Sequence, residues 1–197
     1  RDLHDIFVLQ EELTRRIVAA IAPQVEAAEL TLARRIRTPN LRSYELALRA
    51  RAHATDALVN ASRESRNAAI ATAEAALQIV ATCQLALTTL AWLHWQHVWF
   101  WTGPSTKESL ASAIDAANRA IALDPLDHEP RAHKSFCLTV AQEYDGALSE
   151  AHVAIELNPN PCDALQGLAA AQLISGSPEA AIESLFLALR LNPRDPA

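Results

Sequence analysis

The chain has 197 residues, 50% of them hydrophobic and 20% charged, which is enough apolar material for a large core and too much for a disordered chain. Its 17 Lys and Arg against 23 Asp and Glu give a net charge of −6, the wrong sign for a protein that neutralises the phosphates of a nucleic acid. Alanine makes up about a fifth of the residues and long Val, Ile and Thr alternations are absent, so the composition predicts an all-α fold.

The first predicted element, over residues 1–37, is a leading amphipathic helical segment. Pro23 is expected to kink or split its helix. The chain begins at Arg1 and contains no Met, so we expect it to be part of a longer polypeptide. The apolar residues that recur at helical spacing in this segment are Ile6, Leu9, Leu13, Ile17 and Ile21.

Residues 38–197 are predicted to form an array of helix pairs. Three copies of the pattern A-[IL]-x-L-[DN]-P end at Pro125, Pro159 and Pro193, which are 34 residues apart. The residue before a proline is pushed out of the α region, so each proline marks the end of one unit. The predicted units are an irregular pair over 40–81, an extended pair over 82–125, and pairs over 127–159 and 161–193.

Local signals predict where several helices begin and end. Ser105 and Glu108 form a capping box, and the ten extra residues of the extended pair are expected to lengthen a helix and add a loop around 102–104. Gly176 can take the left-handed conformation that ends a helix, and Pro178 suits the first turn of the next one.

In two of these pairs, the first helix has a weaker hydrophobic pattern. In the irregular pair, a first helix is predicted from Asn40 through Tyr44, Leu48 and Ala52. In the pair over 127–159, Arg131 and Lys134 stand where leucines occur 34 residues later. We expect that helix to pack less deeply, or to bury only the aliphatic stems of these two residues.

A 34-residue period with small residues at fixed phase resembles the tetratricopeptide repeat (TPR), whose unit is a pair of antiparallel helices. The resemblance implies an all-α, TPR-type α-solenoid, a right-handed superhelix of such pairs. Residues 5–13 (D-I-F-V-L-Q-E-E-L) and 40–46 (N-L-R-S-Y-E-L), with the repeats, are similar to the C-terminal part of certain bacterial proteins. In these, class III adenylate or guanylate cyclase domains, or winged-helix regulators, precede a TPR array.

The resemblance implies a regulatory module for protein–protein interaction that binds a peptide or protein partner in a concave groove. The alternative is a homo-oligomerisation module that holds together upstream catalytic or DNA-binding domains. The chain contains no Gly-rich phosphate loop, no HExxH and no G-x-S-x-G motif, so we expect neither a catalytic site nor a cofactor within it.

Aromatic residues on the extended pair are the main candidates for a binding site. Trp92, Trp95 and Trp99 recur at helical spacing on the side that faces the groove in TPR geometry, where aromatics supply a large contact area. The other interpretation is that they bury the lengthened helix against the N-terminal helices. Phe100 and Trp101 are expected to anchor the following loop. On the first helices of the two following pairs, the candidates that continue the groove floor are His133, Phe136, Gln166 and Ala170.

A metal site and a membrane span are the next alternatives. His94 and His97 could share a metal, but no third ligand stands at a supporting spacing, so we expect none. Residues 75–106 carry no Asp, Glu, Lys or Arg and are long enough to span a membrane. Several Gln and His interrupt this run, and helix-pair phasing explains its apolar stripes, so we expect no membrane contact.

Arginines and cysteines give the remaining hints about partners and location. Six arginines between residues 34 and 51 make the most basic stretch, which could contact phosphate or RNA. A solvated face paired with Glu26, Glu29 and Glu45 fits the acidic chain better. Three widely spaced cysteines without a CxxC motif are typical of buried thiols in a reducing compartment, so we expect a cytoplasmic protein.

Overall fold

The computed structural model describes residues 38–158 and 161–192 of the chain. The chain divides into two units, residues 1–41 and 42–197, and the leading helical segment predicted over 1–37 lies outside the described residues. The described part contains helices and turns but no strand. Its eight helices are α1 (Thr38–Val59), α2 (Arg63–Ile79), α3 (Gln84–Trp99), α4 (Thr106–Leu123), α5 (Glu129–Val140), α6 (Tyr144–Leu157), α7 (Cys162–Ile174) and α8 (Pro178–Leu191).

The helices follow one another as four helix–turn–helix pairs. Within each pair the two helices pack together, and the second helix of one pair contacts the first helix of the next, as α4 does with α5 and α6 with α7. First helices also contact each other, α3 with α5 and α5 with α7. The first helices α3, α5 and α7 therefore lie side by side and form one face of the array, which we call the first-helix face.

Alanine forms most of the core between neighbouring helices. Ala50, Ala73, Ala91 and Ala117 come from α1, α2, α3 and α4 and belong to one buried cluster. A methyl side chain fills little space, so the helix backbones approach closely, and the alanine-rich composition becomes a tightly packed interior.

Helix α1 buries most of its small residues and exposes several of its larger apolar ones. Tyr44 and Leu48 are 38% and 46% exposed, and Ala52 is exposed as well. The small residues on another face of α1 are buried instead, and Ser43 Oγ donates a hydrogen bond to the carbonyl oxygen of Ala76 at 2.8 Å. The buried alanines of α1 are Ala47, Ala50, Ala54 and Ala57.

The predicted helix ends are confirmed. Ser105 Oγ accepts a hydrogen bond from the backbone N–H of Glu108 at 3.1 Å, as a capping box requires. Gly176 has φ of +94°, and α8 begins at Pro178. The α3–α4 pair is extended as expected, since α3 has 16 residues and α4 has 18, against 12 and 14 for α5 and α6.

The expectation of shallow packing for α5 is wrong. Ala132 and Ser135 are fully buried on this helix. Arg131 and Lys134 each form a 2.8 Å ion pair with Glu150 of α6, and the three charged side chains are 15–19% exposed. A shared carboxylate compensates the two buried cations, so a charged contact replaces the leucines of the following pair.

Candidate functional site

Three of the predicted site residues form one group on the first-helix face. The ring centroids of Trp95 and Trp99 on α3 are 5.8 Å apart and stacked, and Trp95 lies 5.0 Å from Phe136 on α5. We call Trp95, Trp99 and Phe136 the aromatic cluster. Trp95 and Phe136 are half-buried, whereas Trp99 is 64% exposed. Since each ring is held by another, the cluster presents a preformed apolar surface.

Trp92 lies in a second group that joins three first helices. Its ring is stacked on His133 of α5, with centroids 6.1 Å apart and planes 8° from parallel. The guanidinium carbon of Arg51, on α1, lies 5.9 Å from the centroid of the Trp92 ring. The same guanidinium donates two hydrogen bonds, of 2.6 and 2.7 Å, to the carboxylate of Glu129 at the start of α5.

This second group contains contacts that the sequence did not suggest. Arg51 pairs with Glu129, 78 residues further along the chain. His133 is only 7% exposed, so its ring packs against Trp92 and has little surface to offer a ligand. Trp92 itself is half-buried, packed partly against the cluster of Ala54, Ala69 and Leu93.

Burial and neighbouring charges set the protonation of this group. Burial lowers the pKa of His133 to about 4, against a partial opposing effect of the Glu129 charge. Burial alone would raise the pKa of Glu129, but the hydrogen bonds and charge of Arg51 outweigh it and hold the pKa below its ordinary value. At neutral pH the histidine is uncharged, and the arginine and glutamate balance each other.

The last two candidates lie one helix further along, on α7. Gln166 and Ala170 are both half-buried. Between them, Gly167 lies against α5, where a Cβ atom would come within 3.3 Å of Ser135 Oγ. The absence of a side chain at Gly167 thus allows α7 to approach α5 closely. Ala170 occupies the position that Phe136 has one period earlier, so the first-helix face continues with a smaller side chain.

Exposed apolar side chains at the carboxyl ends of the first helices were not predicted. Each of the four first helices ends with one or two of them, and they are exposed by 42–70%. The ends of successive first helices lie on the same side of the array, so these residues form an apolar edge beside the aromatic cluster. The residues of this edge are Val59, Trp99, Val140, Leu173 and Ile174.

A fully buried arginine holds the loop after α3, and nothing in the sequence pointed to it. Arg66 donates hydrogen bonds to Gln96 Oε1 at 3.1 Å, Thr102 Oγ1 at 2.8 Å and the carbonyl oxygen of Ala57 at 3.2 Å. Its guanidinium also lies 4.7 Å from the ring centroid of Phe100. All of these partners are neutral. The sequence therefore offers no acidic residue that would indicate an ion pair with Arg66.

The loop itself corrects the prediction for Trp101. Phe100 is half-buried under Arg66, as expected of an anchor, but Trp101 is 84% exposed and has φ of +55°. Thr102 serves as the second anchor, because its hydroxyl accepts from Arg66 and lies 2.9 Å from His97 Nδ1. A hydroxyl that accepts from a guanidinium has its own proton free for the histidine.

This arrangement keeps His97 neutral. Burial lowers its pKa to about 4, and the positive charge of Arg66 adds to the effect. The neutral ring shares one hydrogen bond with the Thr102 hydroxyl through Nδ1. Burial lowers the pKa of the neighbouring His94 as well.

The described residues also bear on the metal and membrane alternatives. No group of three or more His, Cys, Asp and Glu side chains in 38–158 and 161–192 is arranged to hold a metal ion. The rings of His94 and His97 have centroids 6.3 Å apart. Within these ranges, no helix combines the length and apolar character needed to cross a bilayer. Cys137 and Cys162 are buried thiols and Cys83 is half-buried.

Comparison with known proteins places the fold. No family model and no curated protein matches the chain. Among solved structures, a thermophilic TPR protein of Thermus thermophilus aligns with a TM-score of 0.61 and 14% identity, over 95% of this chain and 91% of that one. An O-GlcNAc transferase mutant of Thermobaculum terrenum aligns with a TM-score of 0.57 and 24% identity, over 78% of this chain but only 27% of the transferase. With its eight described helices, the chain thus has the all-α fold of a TPR-type solenoid.

Proposed function

We propose that the chain is a protein–protein interaction module that binds a peptide or protein segment on its first-helix face. The observation that carries this proposal is the exposure of Trp99, 64% of whose surface is open while its ring is stacked on Trp95. An exposed aromatic ring that is already held in place loses little entropy when a partner covers it. Interfaces concentrate their binding energy in such residues.

The chemistry of the surface defines the kind of segment it takes. No charged residue occurs between 75 and 106, the histidines of α3 and α5 are neutral, and Arg51 and Glu129 balance each other. The aromatic cluster and the apolar edge therefore offer contact area without a net charge. A segment with apolar, aromatic or proline side chains fits this surface better than a strongly acidic or basic one.

A pair of tryptophan variants tests the proposal. Peptides selected from a display library against the wild-type chain would be titrated against Trp99→Ala and Trp101→Ala by calorimetry. We expect Trp99→Ala to weaken binding by roughly tenfold or more, since truncation of a central aromatic costs about 2 kcal/mol. Trp101 is a matched control, because it is also exposed but lies in the loop outside the aromatic cluster. Equal losses in both variants, or no loss in either, would contradict the proposal.

We further propose that this array is the regulatory C-terminal region of a larger bacterial signalling protein, such as an adenylate or guanylate cyclase, in the cytoplasm. The support is the resemblance of residues 5–13 and 40–46 to the segments that lead into TPR arrays in such proteins. The coding sequence upstream of residue 1 tests this: it should encode a cyclase domain or a winged-helix domain. Any other upstream domain would contradict it.

A second candidate function is self-association that holds upstream domains together. The observation that favours it is the apolar surface of α8, where Phe186 is 63% exposed and Leu189 is 53% exposed. Large exposed apolar residues on adjacent turns of one helix are typical of an interaction surface.

A further inference from the structure

Helix α8 exposes a continuous apolar stripe beside its buried face. Ala181, Ser184 and Ala188 are buried against α7. The stripe next to them consists of residues three or four positions apart, which share one side of a helix. Its members are Ile182 (54% exposed), Leu185 (44%), Phe186 (63%) and Leu189 (53%).

In the preceding pair, part of the equivalent stripe is covered. Of the residues 34 positions earlier on α6, Ala151 is fully buried and Ile155 packs against the cluster that contains Ala164 of α7, whereas His152 is exposed. On α8 all four positions of the stripe are exposed, and no described residue covers them. The stripe on α8 is also more apolar and bulkier, because Leu185 stands in place of Ala151 and Phe186 in place of His152.

We propose that the stripe on α8 binds the same stripe of a second copy of this chain, with the two α8 helices antiparallel about a two-fold axis. This rests on the second candidate function above. The bulk of the stripe favours this occupant over a helix like α7, because α8 has Leu185 where α6 has the fully buried Ala151. Leu185 and Phe186 hold a neighbouring helix further away, and an equally bulky stripe fills the wider space.

The charges beside the stripe are self-complementary in this arrangement. Glu183 and Arg190 are seven residues apart, so they lie on the same flank of α8, and both are exposed. They are equally distant from a two-fold axis placed between Phe186 and Leu187. The axis therefore sets Glu183 opposite Arg190 of the second copy, and by symmetry Arg190 opposite Glu183 of that copy. In a parallel pair the same flank of the two helices would lie on opposite edges of the interface, so Glu183 and Arg190 would not face each other across it.

The first test is the mass of the chain in solution, by light scattering and sedimentation at high micromolar concentration. We expect a dimer for the wild type and a monomer for Leu189→Glu. Leu126→Glu is the matched control, since Leu126 is 74% exposed in the turn before α5, and it should remain dimeric. A monomeric wild type would overturn both this proposal and the candidate function of self-association. A dimer that Leu189→Glu does not change would overturn only the assignment of the surface.

The second test exchanges the charges of Glu183 and Arg190. It tests the same interface even if Leu189→Glu does not fold. Glu183→Arg and Arg190→Glu are exposed substitutions, and each should weaken the dimer by roughly fivefold because like charges then face each other twice. The double variant restores opposite charges and should recover the wild-type dissociation constant. Single variants without effect, or a double variant weaker than both single ones, would overturn the antiparallel arrangement.

Discussion

At the scale of the residue, His133 joins two of the first helices through its imidazole ring. It is stacked on Trp92, close to the ion pair of Arg51 and Glu129, and its burial lowers its pKa to about 4. A protonated imidazole at this place would lose hydration and lie near a guanidinium. The contact between α3 and α5 therefore depends on a neutral ring.

Acid should consequently destabilise the fold through His133. Its pKa is about 4 when folded and near 6.5 when unfolded, so the unfolded chain binds more protons between these values. Stability is complete above pH 6.5 and falls as the pH drops toward 4. At pH 5 the loss from this group is on the order of 2 kcal/mol relative to pH 8.

Urea denaturation of the wild type and His133→Phe at both pH values measures this contribution. Phenylalanine keeps a flat ring against Trp92 but cannot be protonated. The variant should therefore lose less stability than the wild type on going from pH 8 to pH 5. Burial also lowers the pKa of His97 to about 4, so the stability of both proteins keeps some dependence on pH. An identical pH dependence of the two proteins would contradict the assignment.

Single residues were the hardest part of the site to predict from the sequence. The spacing of Trp92, Trp95 and Trp99 placed them on one side of a helix, because helical periodicity is local. Their different exposures depend on His133 and Phe136, which come from another helix. Arg66 could not be predicted at all, since its partners are neutral groups up to 36 residues away.

At the scale of the element, the loop between α3 and α4 is held by a close contact as well as by Arg66. A Cβ atom on Gly103 would overlap the hydroxyl of Ser109 and lie 3.1 Å from Cβ of His97. The Ser109 hydroxyl is buried and has no hydrogen-bond partner in the described part of the chain. The loop thus passes over α4 so closely that a Cβ atom at residue 103 would require the Ser109 side chain to move.

This contact can be tested with a pair of small substitutions. Gly103→Ala should lower the free energy of unfolding by about 1 to 3 kcal/mol through overpacking. Ser109→Ala alone should be neutral or stabilising, because it removes a buried hydroxyl that lacks a partner. In the double variant the overlap with the hydroxyl disappears, so part of the loss should be recovered. Additive effects in thermal or urea denaturation would contradict this explanation.

Elements were predicted well where their signals are local. The capping box at Ser105, the positive φ at Gly176 and the prolines that follow the second helices act within a few residues. The buried side of α1 could not be predicted from spacing, because alanines and the larger apolar residues both recur there at helical spacing. The alanines of α2 and α3 pack against the small residues, and the sequence of α1 alone does not encode this long-range contact.

At the scale of the whole molecule, the helix contacts are between neighbouring pairs, although the Arg51–Glu129 ion pair reaches from the first pair to the third, so stability is distributed along the array. Helix α3 lies between other helices, and ten of its sixteen residues are buried. Helix α8 has only three buried residues of fourteen. Local opening should therefore cost the most free energy around α3 and the least around α8.

Hydrogen exchange followed by mass spectrometry measures this gradient. It should be carried out on Leu189→Glu, so that self-association does not protect α8. We expect the amides of α3 to exchange slowest and those of α8 fastest among the eight helices. Equal protection of α3 and α8 would mean that the array unfolds as a single cooperative unit.

The position of the four tryptophans has a consequence for optical measurements. All of them lie between residues 92 and 101, on α3 or in the loop after it. Intrinsic fluorescence therefore observes the second pair alone, whereas circular dichroism sums over every helix. A denaturation curve recorded by emission reports how long that pair survives, and its separation from the ellipticity curve shows whether the ends of the solenoid melt before its middle.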